Sequence, residues 1–251
     1  MIQILLGGSG LDPWGFATLC GISFLGSFVT ASMGIGGGGL VLATMALFLP
    51  PPVLIPLHGV VQLGSNIGRT ALMSRHVFFD IVPMFLIGTL LGALVGGQLV
   101  VALPVTLLQT VLGIFILYSA WAPRLKARRP TTRTFFYVGA VATFLTMFIG
   151  ATGPLVAPFI AAACDKHQQV VASHAMLMSI QHGLKIIVFG YLGFSFAPYA
   201  SLLIGLLAFG FAGTYVGKLV LNRLPEKSFR AGLKIILTIL ALRLLYGAAI
   251  G

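Results

Sequence analysis

Apolar residues run along this chain in long blocks, broken at short intervals by Gly, Pro and a few basic side chains. Six blocks, near 56–74, 78–100, 105–121, 169–193, 197–220 and 229–248, have the length of a membrane-crossing helix, which needs about 20 apolar residues. Two further blocks behave differently. Residues 13–33 meet the run Gly36, Gly37, Gly38 and Gly39, then resume as an 11-residue apolar piece ending at Pro50, Pro51 and Pro52. Residues 134–149 meet Gly150, Ala151, Thr152, Gly153 and Pro154, and resume only to Ala163, ahead of Asp165, Lys166 and His167. Each pattern predicts a helix, a glycine break and a half-helix too short to span.

Composition turns these helices into membrane helices. Of 251 residues, 58% are hydrophobic and 8% charged, with a mean hydropathy of +1.06, whereas soluble domains carry about 25% charged residues. So few charges cannot cover a 26.4 kDa globule. The 32 glycines also suit membrane helices, which tolerate Gly better than soluble ones do. The expected class is an all-α polytopic membrane protein, and a soluble enzyme or a disordered chain is excluded.

The net charge of +11 would suit a nucleic-acid partner if it were spread over a surface. Instead Arg124, Lys126, Arg128, Arg129 and Arg133 share one short loop, as topology-setting charge does; no nucleic-acid partner is expected. With that loop placed in the cytoplasm, the junctions near 50–56, 101–104 and 194–197 fall outside and lack Lys and Arg. The junctions at Arg75–His76, Lys166–His167 and Arg223–Lys227 fall inside and are basic. The alternation works only if each glycine-broken unit enters and leaves on one side, as a re-entrant hairpin. Both termini then lie outside. Eight full spans, the alternative, would put an even number in each half. No basic segment precedes the first apolar run, so a cleaved signal peptide is not expected.

The two halves align with each other. Ile35-Gly36 and Gly39 match Ile149-Gly150 and Gly153 at an offset of 114. His58, Asn66 and Arg69 match His174, His182 and Lys185 at 116. Gly97-Gln98-Leu99 and Pro104 match Gly217-Lys218-Leu219 and Pro225 at 120 and 121. The expected organisation is a first transmembrane repeat over 1–122, a basic cytoplasmic linker over 123–133 and a second repeat over 134–251. With a hairpin and three full spans per half, the second copy is upside down. Inverted repeats with broken helices at matching places point to a secondary transporter whose site lies between the repeats at mid-membrane.

The segments A-S-M-G-I-G-G-G-G-L at 31–40 and H-G-V-V-Q-L-G-S-N-I-G-R at 58–69, with F-I-G-A-T-G-P-L at 148–155 and S-H-A-M-L-M-S-I-Q-H-G-L-K at 173–185, resemble the sulfite exporter TauE/SafE family. The resemblance covers nearly the whole chain. It implies movement of a small sulfur-containing anion, such as sulfite or an organosulfonate, across the cell (inner) membrane. The second half departs from the glycine-rich form, with Ala151 and Thr152 in place of two glycines.

Independently of that resemblance, the polar residues suggest an anion site. The half-helices starting near Gly39 and at Gly153-Pro154 would aim unpaired N–H groups and positive dipole ends at a cavity, with Thr152 as cap or ligand. Gln62, Ser65, Asn66 and Arg69 recur at three- and four-residue steps, as do Gln181, His182 and Lys185, with His174 two turns earlier. Ionisable groups in a membrane are costly and mark a site. Arg69 and Lys185 supply positive charge; snorkelling to the surface is the alternative for each. Close packing through small residues is the alternative use of the glycines. His58, His76 and His167, near helix ends or in basic turns, read as solvated.

Cys20 and Cys164 show no redox or metal spacing, and no motif requires a metal or cofactor. Asp12, Asp80, Asp165 and Glu226 all lie near predicted ends or loops. A coupling proton would therefore fall to His182, His174 or the substrate. An anion moving alone is pushed out of an inside-negative cell by about 2.3 kcal/mol per charge per 100 mV, so export is expected. A channel-like anion conductor is the alternative, and a membrane-embedded enzyme a weaker one. Oligomeric state is not readable.

Overall fold

The computed structural model describes residues 10–33, 36–100, 103–121, 129–220 and 226–250. Arg124, Lys126, Arg128 and Arg223 lie outside the described residues, as do both terminal segments. Within the described residues the chain forms ten α-helices and no strand. In the first half these are α1 (Pro13–Met33), α2 (Gly37–Met45), α3 (Pro51–Leu72), α4 (Val82–Val100) and α5 (Val105–Trp121). In the second they are α6 (Thr134–Ile149), α7 (Gly153–Ala163), α8 (His167–Tyr191), α9 (Ala200–Leu219) and α10 (Glu226–Ile250).

By length and apolar character, four helical segments are able to cross a membrane: Pro13–Met33, Phe79–Val100, Ala197–Leu219 and Ala231–Ile250. Helices α3 and α8, at 22 and 25 residues, are long enough but more polar. They sit at the centre, against each other and against α9 and α4 respectively. Being enclosed by protein, they need no apolar coat. Leu94, Ile204 and Ile239, each 60% exposed or more, face outward from the surrounding helices.

Both glycine breaks form. Gly36 and Gly150 occupy the left-handed region, with φ of 110° and 74°, which costs Gly little. After the first break α2 returns along α1: Gly37 lies against the Gly26 carbonyl, Val41 over Gly26 and Phe48 over Gly15. After the second, Val156 and Ile160 of α7 join a buried cluster with Ala142 and Phe135 of α6.

The halves interlock. Helix α4 packs on α6 of the other half, as α9 packs on α1; α3 packs on α8 and α5 on α10. Glycines set the closest contacts. A Cβ at Gly88 or Gly92 would stand 1.9 or 2.2 Å from the Phe136 or Ala140 carbonyl oxygen. At Gly213 or Gly217 it would stand 2.1 or 2.5 Å from that of Phe24 or Phe28. These are small-residue ridges of the kind that let membrane helices approach backbone to backbone. The order of contacts makes α4 and α6 run parallel, and likewise α9 and α1. Helices α3 and α8 run antiparallel, since Gly59 meets Lys185 and Ile186 while Met73 meets Val171 and Ala172.

Candidate functional site

Where the two hairpin tips meet the central helix pair, a cavity of about 40 Å³ opens. At roughly 10–15 Å³ per water, it holds about three water-sized bodies, the scale of a small oxyanion. Helix α3 lines it with His58, Gln62 and Asn66, one helical turn apart; α8 lines it with His174, Met178 and His182 at the same spacing. These triplets are the residues that the 116-residue offset pairs. The tips contribute Gly36, Gly38 and Gly39 on one side and Ala151, Gly153 and Pro154 on the other, and α1 adds Thr30. The first turns of α2 and α7 abut the cavity, and neither helix has a side-chain cap, which leaves N–H groups there for another acceptor.

Two cations flank the cavity without lining it. Arg69 is 1% exposed and Lys185 fully buried. Arg69 donates from Nη2 to Asn66 Oδ1, while its Nε and Nη1 have no partner. Asn66 in turn donates to the Gln62 carbonyl at 2.7 Å. Lys185 Nζ donates to the Gly150 carbonyl, 2.8 Å away, at the break of the second hairpin. Neither cation is in an ion pair among the described residues. Lys185 meets Gly59 in the first half of α3, whereas Arg69 lies in the last turn of that helix. One cation therefore stands toward each end of the α3–α8 pair. The ring nitrogens Nδ1 of His174 and His182 are buried and unpartnered. The unpartnered Nε and Nη1 of Arg69 are buried donors without an internal acceptor, which suits a bound anion.

The expected site residues divide on inspection. Gly36, Gly38, Gly39, Gln62, Asn66, Gly153, His174 and His182 reach the cavity, with Arg69 and Lys185 just behind it. Gly37 instead faces α1, where a Cβ would stand 1.7 Å from the Gly26 oxygen. Ser65 turns away to Thr214 of α9, hydroxyl to hydroxyl at 3.2 Å. Thr152 donates its hydroxyl to Gln181 Oε1 at 3.1 Å, and Gln181 donates to Thr143 at 3.2 Å. That pair ties α8 to the second hairpin rather than facing a ligand. Thr152 sits at the N-cap of α7 but forms no side-chain cap bond, because its hydroxyl is already engaged.

His58 is the main omission. It is fully buried, not solvated, and its ring meets both tips: Nε2 lies 3.0 Å from the Gly38 oxygen and Nδ1 3.2 Å from the Gly150 oxygen. Its pairing with His174 in the repeat alignment was the available signal. Met178, matched to Gln62, had the same signal and lines the wall with a thioether. Among the described residues no group of three His, Cys, Asp or Glu side chains is placed to hold a metal ion. Both cysteines are free thiols.

Comparison with protein families matches the model described as "Sulfite exporter TauE/SafE" to residues 19–244. Comparison with curated proteins returns no match.

Proposed function

We propose, from the premise that the chain belongs to the sulfite exporter TauE/SafE family, that it is a secondary transporter carrying a small sulfur oxyanion out of the cell across the inner membrane. The family is one of transporters, and the chain is a multi-pass membrane protein. The observation that carries the reading is the pair of buried cations, Arg69 and Lys185, flanking a cavity that His58, Gln62, Asn66, His174 and His182 reach, with no carboxylate to balance either cation among the described residues. A buried charge without a counter-charge is costly, and an anion in the cavity supplies one. The cavity's small volume favours sulfite over an organosulfonate with a carbon chain.

The two halves are read as an inverted repeat of a re-entrant hairpin and three spanning helices. Support comes from the antiparallel course of α3 and α8, the matched packing of α4 on α6 and α9 on α1, and the matched left-handed glycines at 36 and 150. On this reading Gly10 faces outside and Thr131 the cytoplasm. Single cysteines introduced at the two positions should react with an impermeant reagent from opposite sides; reaction from one side would remove the topology.

Proteoliposomes test the activity. Unlabelled sulfite on the far side should accelerate entry of labelled sulfite, as a carrier requires; flux without such acceleration would indicate a channel. Asn66→Ala and His182→Ala should each weaken sulfite binding at least about tenfold, since a hydrogen bond to a charged ligand contributes about 1.5–3 kcal/mol. Ser65→Ala, facing Thr214, should bind as wild type. Unchanged affinity in both cavity variants would remove them from the site.

A further inference from the structure

The proton accompanying the anion is the question His58 raises. Its ring lies between two carbonyl oxygens, Gly38 at 3.0 Å and Gly150 at 3.2 Å, and a carbonyl oxygen only accepts. A neutral imidazole has one N–H, so it satisfies one tip and turns a lone pair toward the other. Both contacts are hydrogen bonds when the ring carries two N–H groups. His174, the matched residue, differs: Nε2 lies 3.3 Å from the Gly153 oxygen and Nδ1 has no partner. A neutral ring suffices there.

We propose that the anion travels with one proton, and that His58 carries it while joining the two hairpin tips. This rests on the transporter reading. The charged and titratable groups that face His58 come from α8: Lys185, whose Nζ shares the Gly150 oxygen, and His182, whose ring centroid is 6.0 Å away, edge on. The hairpins present carbonyls to it, and Arg69, on its own helix, lies three turns away toward His174. With the cavity empty, a second ring proton would stand beside Lys185 without a counter-charge. An anion in the cavity that His58 lines provides that charge, so anion and proton bind in support of each other. The proton comes from water on the loading side to the vacant ring nitrogen and returns to water on release; no bond to the anion forms or breaks. A dianion then crosses with one unit less net negative charge. Outward movement still follows the membrane potential, and now also responds to pH.

Calorimetry of sulfite binding to the purified protein, at alkaline pH where free sulfite is the dianion and in buffers of different ionisation enthalpy, counts the protons. Wild type should take up about one proton per sulfite bound. His58→Gln, whose amide still reaches the carbonyls, should bind sulfite with almost no uptake. Sulfite bound by wild type without proton uptake would overturn the proposal, as would equal uptake in His58→Gln, which would put the proton on the anion or on Lys185 or His182 instead. Nitrogen-15 spectra of histidine-labelled wild type give the answer without a variant: sulfite should convert one ring to the doubly protonated form, and no conversion would overturn it. Failure of wild type to bind sulfite at all would instead strike the transporter reading itself.

Discussion

Gly37→Ala should strongly destabilise the folded protein, whereas Gly39→Ala, two residues along the same run, should leave it intact. At position 37 the added Cβ would stand 1.7 Å from the Gly26 carbonyl oxygen and 2.4 Å from Thr30 Oγ1. The first of these is backbone, so no rotamer change relieves the clash; α2 must move off α1. Overpacking a well-filled site costs about 1–3 kcal/mol, sometimes more, and a clash with backbone belongs at or above the upper end. At position 39 a Cβ meets nothing within 4 Å, and replacing Gly by Ala inside a helix gains about 0.5–1 kcal/mol. Thermal unfolding of the purified variants in detergent checks the pair. Similar unfolding temperatures for both would show that α2 does not press on α1 in this way.

Those two glycines illustrate what the sequence exposes and what it withholds. Helical blocks were legible because a bilayer imposes a length and an apolar character on each one: 105–121 and 134–149 coincide with Val105–Trp121 and Thr134–Ile149. The breaks were legible too, since four adjacent glycines and a Gly-Pro pair have few other uses in such a chain. Which glycine faces the cavity and which faces α1 depends on what folds back against them, and Gly37, Gly38 and Gly39 are identical as letters. The apolar pattern starts α3 near 56, yet the helix begins at Pro51, because prolines that read as a stop are also favoured in a helix's first turn. That shift alone carries His58 more than a turn deeper, and the two hairpin tips then cover it. A residue that looked like the wet end of a span thus lies fully buried between them. Ser65 and Asn66 show the resolution of periodicity: adjacent positions differ by about 100° around a helix, enough to send one to Thr214 and the other into the cavity.

Removing either buried cation should raise stability and destroy affinity together. Arg69→Met and Lys185→Met keep an unbranched, flexible side chain and remove the charge. In the empty protein each charge is buried without a carboxylate partner among the described residues, and Arg69 also leaves Nε and Nη1 without a partner. Replacing buried ionic groups by packed apolar ones is often neutral or stabilising by about 1–4 kcal/mol. For a chain of this size each kcal/mol moves the unfolding temperature by about 2–4 °C, so the empty variants should melt later than wild type by several degrees. Sulfite affinity should move the opposite way. Each cation acts on the anion through its charge from behind the cavity wall, so losing one should weaken binding roughly tenfold or more in Kd, and loss of both cations in one variant should leave no measurable binding. Arg69→Lys should fall between, keeping the charge while losing the planar fork that also holds Asn66. A residue retained for packing alone gives the reverse pattern: earlier melting and unchanged sulfite affinity in the Met variants would show that Arg69 and Lys185 brace the fold. Later melting with weakened binding, measured on one preparation, identifies them as charges that the fold tolerates for the sake of the anion.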